Sequence, residues 1–83
     1  MDFNQYQEAA RRTAIYPCEN GLVYTALGLV GESGEVAEKV KKLIRGDLLE
    51  QGQFENDMVK ELGDVLWYVA NLATELGVTL SDV

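Results

Sequence analysis

The chain has 83 residues, of which 47% are hydrophobic and 25% are charged, and its net charge is −7. This acidity opposes binding to phosphate backbones and to anionic lipid, so the sequence excludes a basic nucleic-acid-binding module. The composition is that of one small folded domain, which we expect to span 1–83. A chain this short buries only about 60–65% of its unfolded surface, so we expect a second subunit to add stability.

Cysteine and histidine are nearly absent, with Cys18 alone and no His. A single Cys cannot form an internal disulfide. No signal-peptide pattern opens the chain and no apolar run approaches the roughly 20 residues that span a bilayer, so we expect a cytoplasmic protein with no membrane partner. Without His, imidazole catalysis and His-dependent zinc or di-iron sites are excluded. Any chemistry must use carboxylates, lysines or hydroxyls.

Hydrophobic periodicity predicts three helices, at 2–15, 20–45 and 54–76. Asp2 is the expected N-cap of the first, with Gln5 three residues later, and Gly46 and Gly77 are the expected stops of the other two. No strand-like alternation is present, and the short turn at 46–53 forces antiparallel neighbours. We therefore expect an all-α fold, in which an antiparallel helical hairpin and an N-terminal helix are completed into a four-helix-bundle-like core by oligomerisation.

Apolar residues on the second predicted helix form a broad stripe. Its members are Leu22, Val23, Ala26, Leu27, Val30, Ala37, Val40 and Ile44. Glu32 and Glu35 point away from the centre of this stripe, which alone indicates a solvent face. Gly28 and Gly31 on the same side allow another backbone to approach closely. After Gly77 the residues resemble a helix start with no room to continue, so we expect a helix beyond Val83 to be missing, in a truncated or a naturally short chain.

Two pairs of carboxylates are each spaced three residues apart, Glu32 with Glu35 and Glu61 with Asp64. Such spacing places both members of a pair side by side on a helix. Glu35 lies eleven residues before Gly46, and Glu61 lies eight residues after Gln53. In an antiparallel hairpin the two pairs are therefore at nearly the same distance from the turn. Four oxygen ligands without Cys or His suit a hard cation, with Mg²⁺ expected and Mn²⁺ a substitute.

Polar side chains beside the apolar face of the third helix form a stripe that extends the second pair. Its members are Asp57, Glu61, Asp64, Tyr68, Asn71 and Glu75. Trp67 lies at its border and either stacks on a planar ring or packs at an interface. Lys39 and Lys42 either meet phosphates or form ion pairs with Glu35 and Glu38.

These motifs resemble a known family. The segments ALGLVGESGEVAE at 26–38 and ELGDVLWY at 61–68 closely resemble the small MazG-like nucleotide pyrophosphohydrolases of the all-α NTP pyrophosphatase superfamily. The resemblance implies hydrolysis of a (deoxy)nucleoside triphosphate between the α and β phosphates, to a monophosphate and pyrophosphate. It also implies a homodimer or a dimer of dimers.

The resemblance assigns residues as well as a reaction. It places the metal on Glu32, Glu35, Glu61 and Asp64, the nucleotide at Asn71 and the phosphates at Lys42. We further expect Trp67 and Tyr68 to contact substrate, and Glu35 or Glu32 to act as the general base unless the metal itself activates the water. The sequence departs from the family where Gly31 replaces a frequent Glu and where the chain stops before a final helix.

Two other functions fit part of the pattern. A phosphoribosyl-ATP pyrophosphohydrolase of histidine biosynthesis shares the helical carboxylates, but Trp67 and Tyr68 stand where a different aromatic and His pattern is expected. A non-catalytic dimerisation or regulatory module would use the acidic faces only for solubility.

Overall fold

The computed structural model describes residues 1–47 and 49–83, which contain three α-helices and no strand. The elements are α1 (Phe3–Arg12), α2 (Gly21–Arg45) and α3 (Gln53–Glu75), with 3₁₀ turns at Cys18–Asn20 and Leu80–Asp82. The all-α prediction is confirmed. No described helix has both the length and the apolar character needed to cross a bilayer.

The helix ends follow the local signals in the sequence. Asp2 and Gln5 form a reciprocal capping box, in which the Gln5 amide donates to Asp2 Oδ1 at 2.7 Å and the Asp2 amide donates to Gln5 Oε1 at 2.8 Å. Gly46 and Gly77 have φ values of 85° and 74°, a left-handed conformation that glycine adopts with little strain. α1 ends at Arg12, three residues before the predicted end.

α2 and α3 form the predicted antiparallel hairpin. Gly21 at the start of α2 lies against the Glu75 carboxylate at the end of α3, and Lys42 near the end of α2 shares a small cavity with Gln53 at the start of α3. α1 packs against α3 and makes no comparable contact with α2 in the described residues. α3 is therefore the central helix and carries contacts on both sides.

α1 is attached to α3 mainly through Gln7 and one small apolar cluster. The Gln7 amide donates to Thr74 Oγ1 at 3.1 Å and to the Val78 carbonyl at 2.9 Å, and its oxygen accepts from the Leu80 amide at 2.8 Å. Ala10, Ala70 and Leu80 are the buried members of the cluster. These contacts hold α1 and the C-terminal turn on one side of α3.

The side of α2 that meets α3 is small and polar. Thr25 is fully buried, and Gly28 lies directly beneath the ring of Tyr68. The interpretation of the side with Glu32 and Glu35 as a solvent face is wrong for Glu32, which is half-buried beside α3, whereas Glu35 is exposed. At Gly28 the group that approaches closely is the Tyr68 side chain and not the backbone expected from the sequence. At Gly31 a methyl group in place of the α-hydrogen would meet no described atom within 4 Å.

The apolar stripe of α2 faces outward in the single chain. Val23, Leu27 and Val30, spaced on one helical face, are 59%, 68% and 71% exposed. The radius of gyration is 14.7 Å, against about 12 Å for a compact domain of this length. The isolated chain is thus elongated and leaves apolar surface that its own helices do not cover.

Candidate metal centre and aromatic cluster

Three carboxylates from two helices converge in the middle of the hairpin. Ligand oxygens of Glu32 on α2 and of Glu61 and Asp64 on α3 all lie within 4.8 Å of one another. The antiparallel arrangement places these residues at the same height along the two helices, as the spacing predicts. Of the four expected ligands, Glu35 is the one that the structure leaves outside this group, with its side chain exposed one turn further along α2.

The electrostatics of Glu32 show how closely these groups interact. Glu32 is half-buried, and desolvation is the largest cause that raises its pKa above the ordinary value. The charge of Asp64, a side-chain hydrogen bond with Glu61 and the charges of Glu61 and Glu35 raise the pKa further. Desolvation and the neighbouring charges therefore both disfavour the ionised form of Glu32, as expected where carboxylates of two helices crowd together.

This donor set fits a divalent cation. A separation of at most 4.8 Å can be bridged by one ion whose metal–oxygen bonds are about 2.1–2.4 Å. A cation here would offset the charges of Asp64, Glu61 and Glu35, which after desolvation raise the pKa of Glu32. Carboxylates alone, without sulfur or imidazole, favour Mg²⁺, Ca²⁺ or Mn²⁺ over softer metals.

Four aromatic rings lie on one side of the three carboxylates. Tyr16 stacks on Tyr24 with centroids 4.9 Å apart, and Tyr24 lies 6.3 Å from Tyr68. Trp67 meets Tyr68 edge-on at 5.0 Å and Tyr16 edge-on at 6.5 Å. We call Tyr16, Tyr24, Trp67 and Tyr68 the aromatic cluster. Edge-on and offset rings are the favoured arrangements for such groups, so the four rings hold one another in place.

Tyr68 connects the aromatic cluster to the carboxylates. Burial is the largest cause that raises its pKa, followed by a hydrogen bond and charge interaction with Tyr24 and then by the charges of Glu32 and Asp64. A Cβ added at Gly28 would overlap the Tyr68 ring. Gly28 is thus required where it stands, because any larger residue would push the ring off α2.

Polar contacts at the edge of the aromatic cluster fix its outer members. The Tyr16 hydroxyl donates to Glu75 Oε1 at 2.9 Å, and the Trp67 indole N–H donates to Thr13 Oγ1 at 2.8 Å. Burial first, and the Glu75 contact second, raise the pKa of Tyr16 to about 12. The loop between α1 and α2 is in this way attached to the last turns of α3.

Two predicted substrate residues lie away from the carboxylates. Asn71 is fully buried between α1 and α3, where its Nδ2 donates to the Trp67 carbonyl at 3.2 Å and the Ala10 carbonyl at 3.4 Å, while Oδ1 has no partner in the described residues. Lys42 lies near the hairpin turn, 3.9 Å from Glu38. That contact is the i,i+4 pair expected from the sequence.

Sequence reasoning missed Tyr16 and Tyr24. The signal for Tyr24 was present, because Tyr24, Gly28 and Glu32 follow one another at intervals of four and so share one side of α2. Tyr16 sits in a loop after α1, where no periodicity assigns a neighbour. Only the return of the loop onto α3 places its ring against Tyr24.

Together, these features define a class of protein: an all-helical protein with a carboxylate centre of the kind that holds a divalent metal, bordered by aromatic rings. The sequence of residues 23–83 matches the family model of the MazG nucleotide pyrophosphohydrolase domain. The chain belongs to this family, whose members are pyrophosphohydrolases of nucleotides.

One curated relative is also similar along the whole chain. It is the Gene 37 protein of Mycobacterium phage L5, which is 50% identical over 92 aligned residues that cover all of this chain and 79% of the relative. No solved structure matches the chain significantly.

Proposed function

We propose that the protein hydrolyses a (deoxy)nucleoside triphosphate at the α–β phosphoanhydride, giving a nucleoside monophosphate and pyrophosphate, with Mg²⁺ or Mn²⁺ as cofactor. The observation that carries the proposal is the convergence of Glu32, Glu61 and Asp64 in a chain of this family. A net charge of −7 repels a triphosphate, and a cation held by these three groups reverses the local sign. We propose that the reaction takes place in the cytoplasm, on free nucleotides.

Each carboxylate has a role in this scheme. Glu32, Glu61 and Asp64 would hold the cation, whose positive charge would offset that of the phosphates. Glu35 lies outside that group but close enough for its charge to act on Glu32. Because it is exposed and lies outside the group of three carboxylates, Glu35 is the base in our proposal, and it accepts the proton of the attacking water. The water oxygen bonds to the α phosphorus, and the α–β bridging oxygen leaves with the electron pair of the broken bond.

The aromatic cluster is the proposed position of the nucleoside. Tyr68 is near enough to Glu32 and Asp64 for their charges to raise its pKa, so a ring stacked against Tyr68 or Trp67 leaves its α phosphate beside the carboxylates. Lys42 is proposed to meet phosphate oxygens. Asn71 contacts the nucleotide only if α1 moves, since the residue is fully buried in the chain as it stands.

Metal removal and a substrate screen test this function. Pyrophosphate release should be observed with at least one canonical or damaged (d)NTP in Mg²⁺, should stop in EDTA and should return when Mg²⁺ is restored. Two alternatives give different results. A phosphoribosyl-ATP pyrophosphohydrolase would hydrolyse phosphoribosyl-ATP and none of the (d)NTPs. A non-catalytic module would release no pyrophosphate and would bind neither Mg²⁺ nor a non-hydrolysable nucleotide in calorimetry.

We also propose that two chains form a dimer through the exposed apolar faces of the hairpin. The chain exposes 5859 Å², about 900 Å² more than the roughly 4,900 Å² of a compact monomer of this mass. A standard interface buries about 800 Å² per partner. The apolar surface for this interface consists of Val23, Leu27 and Val30 on α2 and of Val59, Leu62 and Leu66 on α3. Two such hairpins would complete a four-helix bundle.

Sedimentation tests the dimer. The wild-type protein should sediment as a dimer at micromolar concentration, and Leu27→Glu should shift it to a monomer, because a carboxylate would be buried in the apolar interface. Ile15→Glu is the matched control. Ile15 is 95% exposed in the loop after α1, so this variant should remain dimeric. A monomeric wild type would refute the proposal.

A further inference from the structure

A small cavity separates the end of α2 from the start of α3. Its volume is about 170 Å³, and it is lined by Lys39, Lys42, Leu49, Gln53, Phe54 and Asp57. Pockets that enclose drug-sized ligands measure about 300–1,000 Å³. This cavity is therefore too small for a nucleoside and suits a smaller polar group.

The cavity continues the side of the hairpin that carries the carboxylates. Lys39 follows Glu32 by seven residues and Asp57 precedes Glu61 by four, spacings that keep each residue on the same helical face as its partner. At 1.5 Å per residue the cavity begins about 6–10 Å from the three carboxylates. The aromatic cluster lies on the opposite side of them, so the carboxylates stand between an aromatic region and a cationic one.

The charges of the cavity favour a metal-bound anion. Lys39 and Lys42 supply two positive charges and Asp57 one negative charge. The Glu38 carboxylate forms its shorter ion pair with Lys41, at 2.8 Å, and a longer one with Lys42, at 3.9 Å. Among the described residues Lys39 has no ion-pair partner. Two lysines can bind phosphate oxygens, and Asp57 can face the cation that accompanies a polyphosphate.

We propose that this cavity binds the terminal phosphates of the substrate, and that Lys39 is a specificity-determining residue that selects triphosphates over diphosphates. The inference rests on the proposed function and deepens it. With the nucleoside at the aromatic cluster and the α phosphate beside Glu32 and Asp64, the β and γ phosphates extend toward the hairpin turn. The pyrophosphate that leaves is then the group that the cavity holds.

Lys39→Gln tests the inference through binding and through substrate preference. Calorimetry with inorganic pyrophosphate and Mg²⁺ should show at least about tenfold weaker binding to the variant, since a charge-assisted contact is lost. The ratio of kcat/KM for a deoxynucleoside triphosphate to that for its diphosphate should fall by a similar factor. Lys41→Gln removes the same charge from an exposed lysine that pairs with Glu38, and it should change neither quantity.

The outcomes separate the two proposals. If Lys39→Gln retains wild-type pyrophosphate affinity and wild-type preference for triphosphates, or if the wild type binds no pyrophosphate, the cavity is not a phosphate site, whether or not the enzyme is active. If the wild type binds pyrophosphate through Lys39 but cleaves no nucleotide, the cavity proposal stands as a site for polyphosphate and the proposed function fails.

Discussion

Replacing Glu61 by Gln should lower kcat/KM for a nucleoside triphosphate by more than about 100-fold while leaving the helical content unchanged. Removing a group that only supports a metal ligand typically costs 10–100-fold, so removing a ligand itself should cost at least as much. The amide has nearly the shape of the carboxylate and can donate a hydrogen bond to Glu32. The fold should therefore persist. Pyrophosphate release and far-ultraviolet circular dichroism measure the two quantities.

Glu55→Gln is the control for this experiment. Glu55 lies in the first turn of the same helix, its side chain is exposed, and it is outside the carboxylate group. The same chemical change there should leave kcat/KM within about twofold of the wild type, because exposed charges away from a site contribute little. Activity of Glu61→Gln within tenfold of the wild type would show that the three carboxylates are not the reaction centre.

Glu32→Gln should abolish activity and at the same time stabilise the metal-free protein. Burial and the charge of Asp64 raise the pKa of Glu32 above 4.5 in the folded chain. The folded state therefore binds this proton more tightly than the unfolded state. That stabilisation is complete below about pH 4.5 and is lost as the pH rises through the raised pKa. The side-chain amide of the variant does not ionise. The stability of the variant therefore does not fall as the pH rises through the pKa that Glu32 has in the wild type.

Thermal unfolding in EDTA and in Mg²⁺ measures this effect. In EDTA the variant should have a higher Tm than the wild type at pH 7.5, and its Tm should fall less as the pH rises from 4.5. In Mg²⁺ the wild type should gain stability, because ion binding favours the folded state and requires the ionised carboxylate. An equal gain in Tm on adding Mg²⁺ to Glu32→Gln would place the metal elsewhere.

The helices themselves could be predicted because their signals are local. The capping box of Asp2 and Gln5 and the left-handed glycines Gly46 and Gly77 act within a few residues of each helix end. The predicted end of the first helix was wrong: Thr13, Ala14 and Ile15 were assigned to α1, which ends at Arg12. The short connection between α2 and α3 was also sufficient to predict their antiparallel pairing.

The candidate site was only partly predictable. Periodicity and the length of the turn placed Glu32, Glu61 and Asp64 at one level, and the structure brings these three together. The same reasoning placed Glu35 with them, but the structure leaves Glu35 exposed and outside this group. Its role as a ligand stays a prediction.

Local patterns along the chain specify the helices, their order, their antiparallel pairing and the height at which the acidic residues meet, because each depends on local geometry. Tertiary packing sets which side of α2 faces α3, through the fit of Tyr68 on Gly28. It also sets the burial of Asn71 and the assembly of the aromatic cluster from a loop and two helices. These features depend on packing between residues far apart in the chain, which no local pattern encodes.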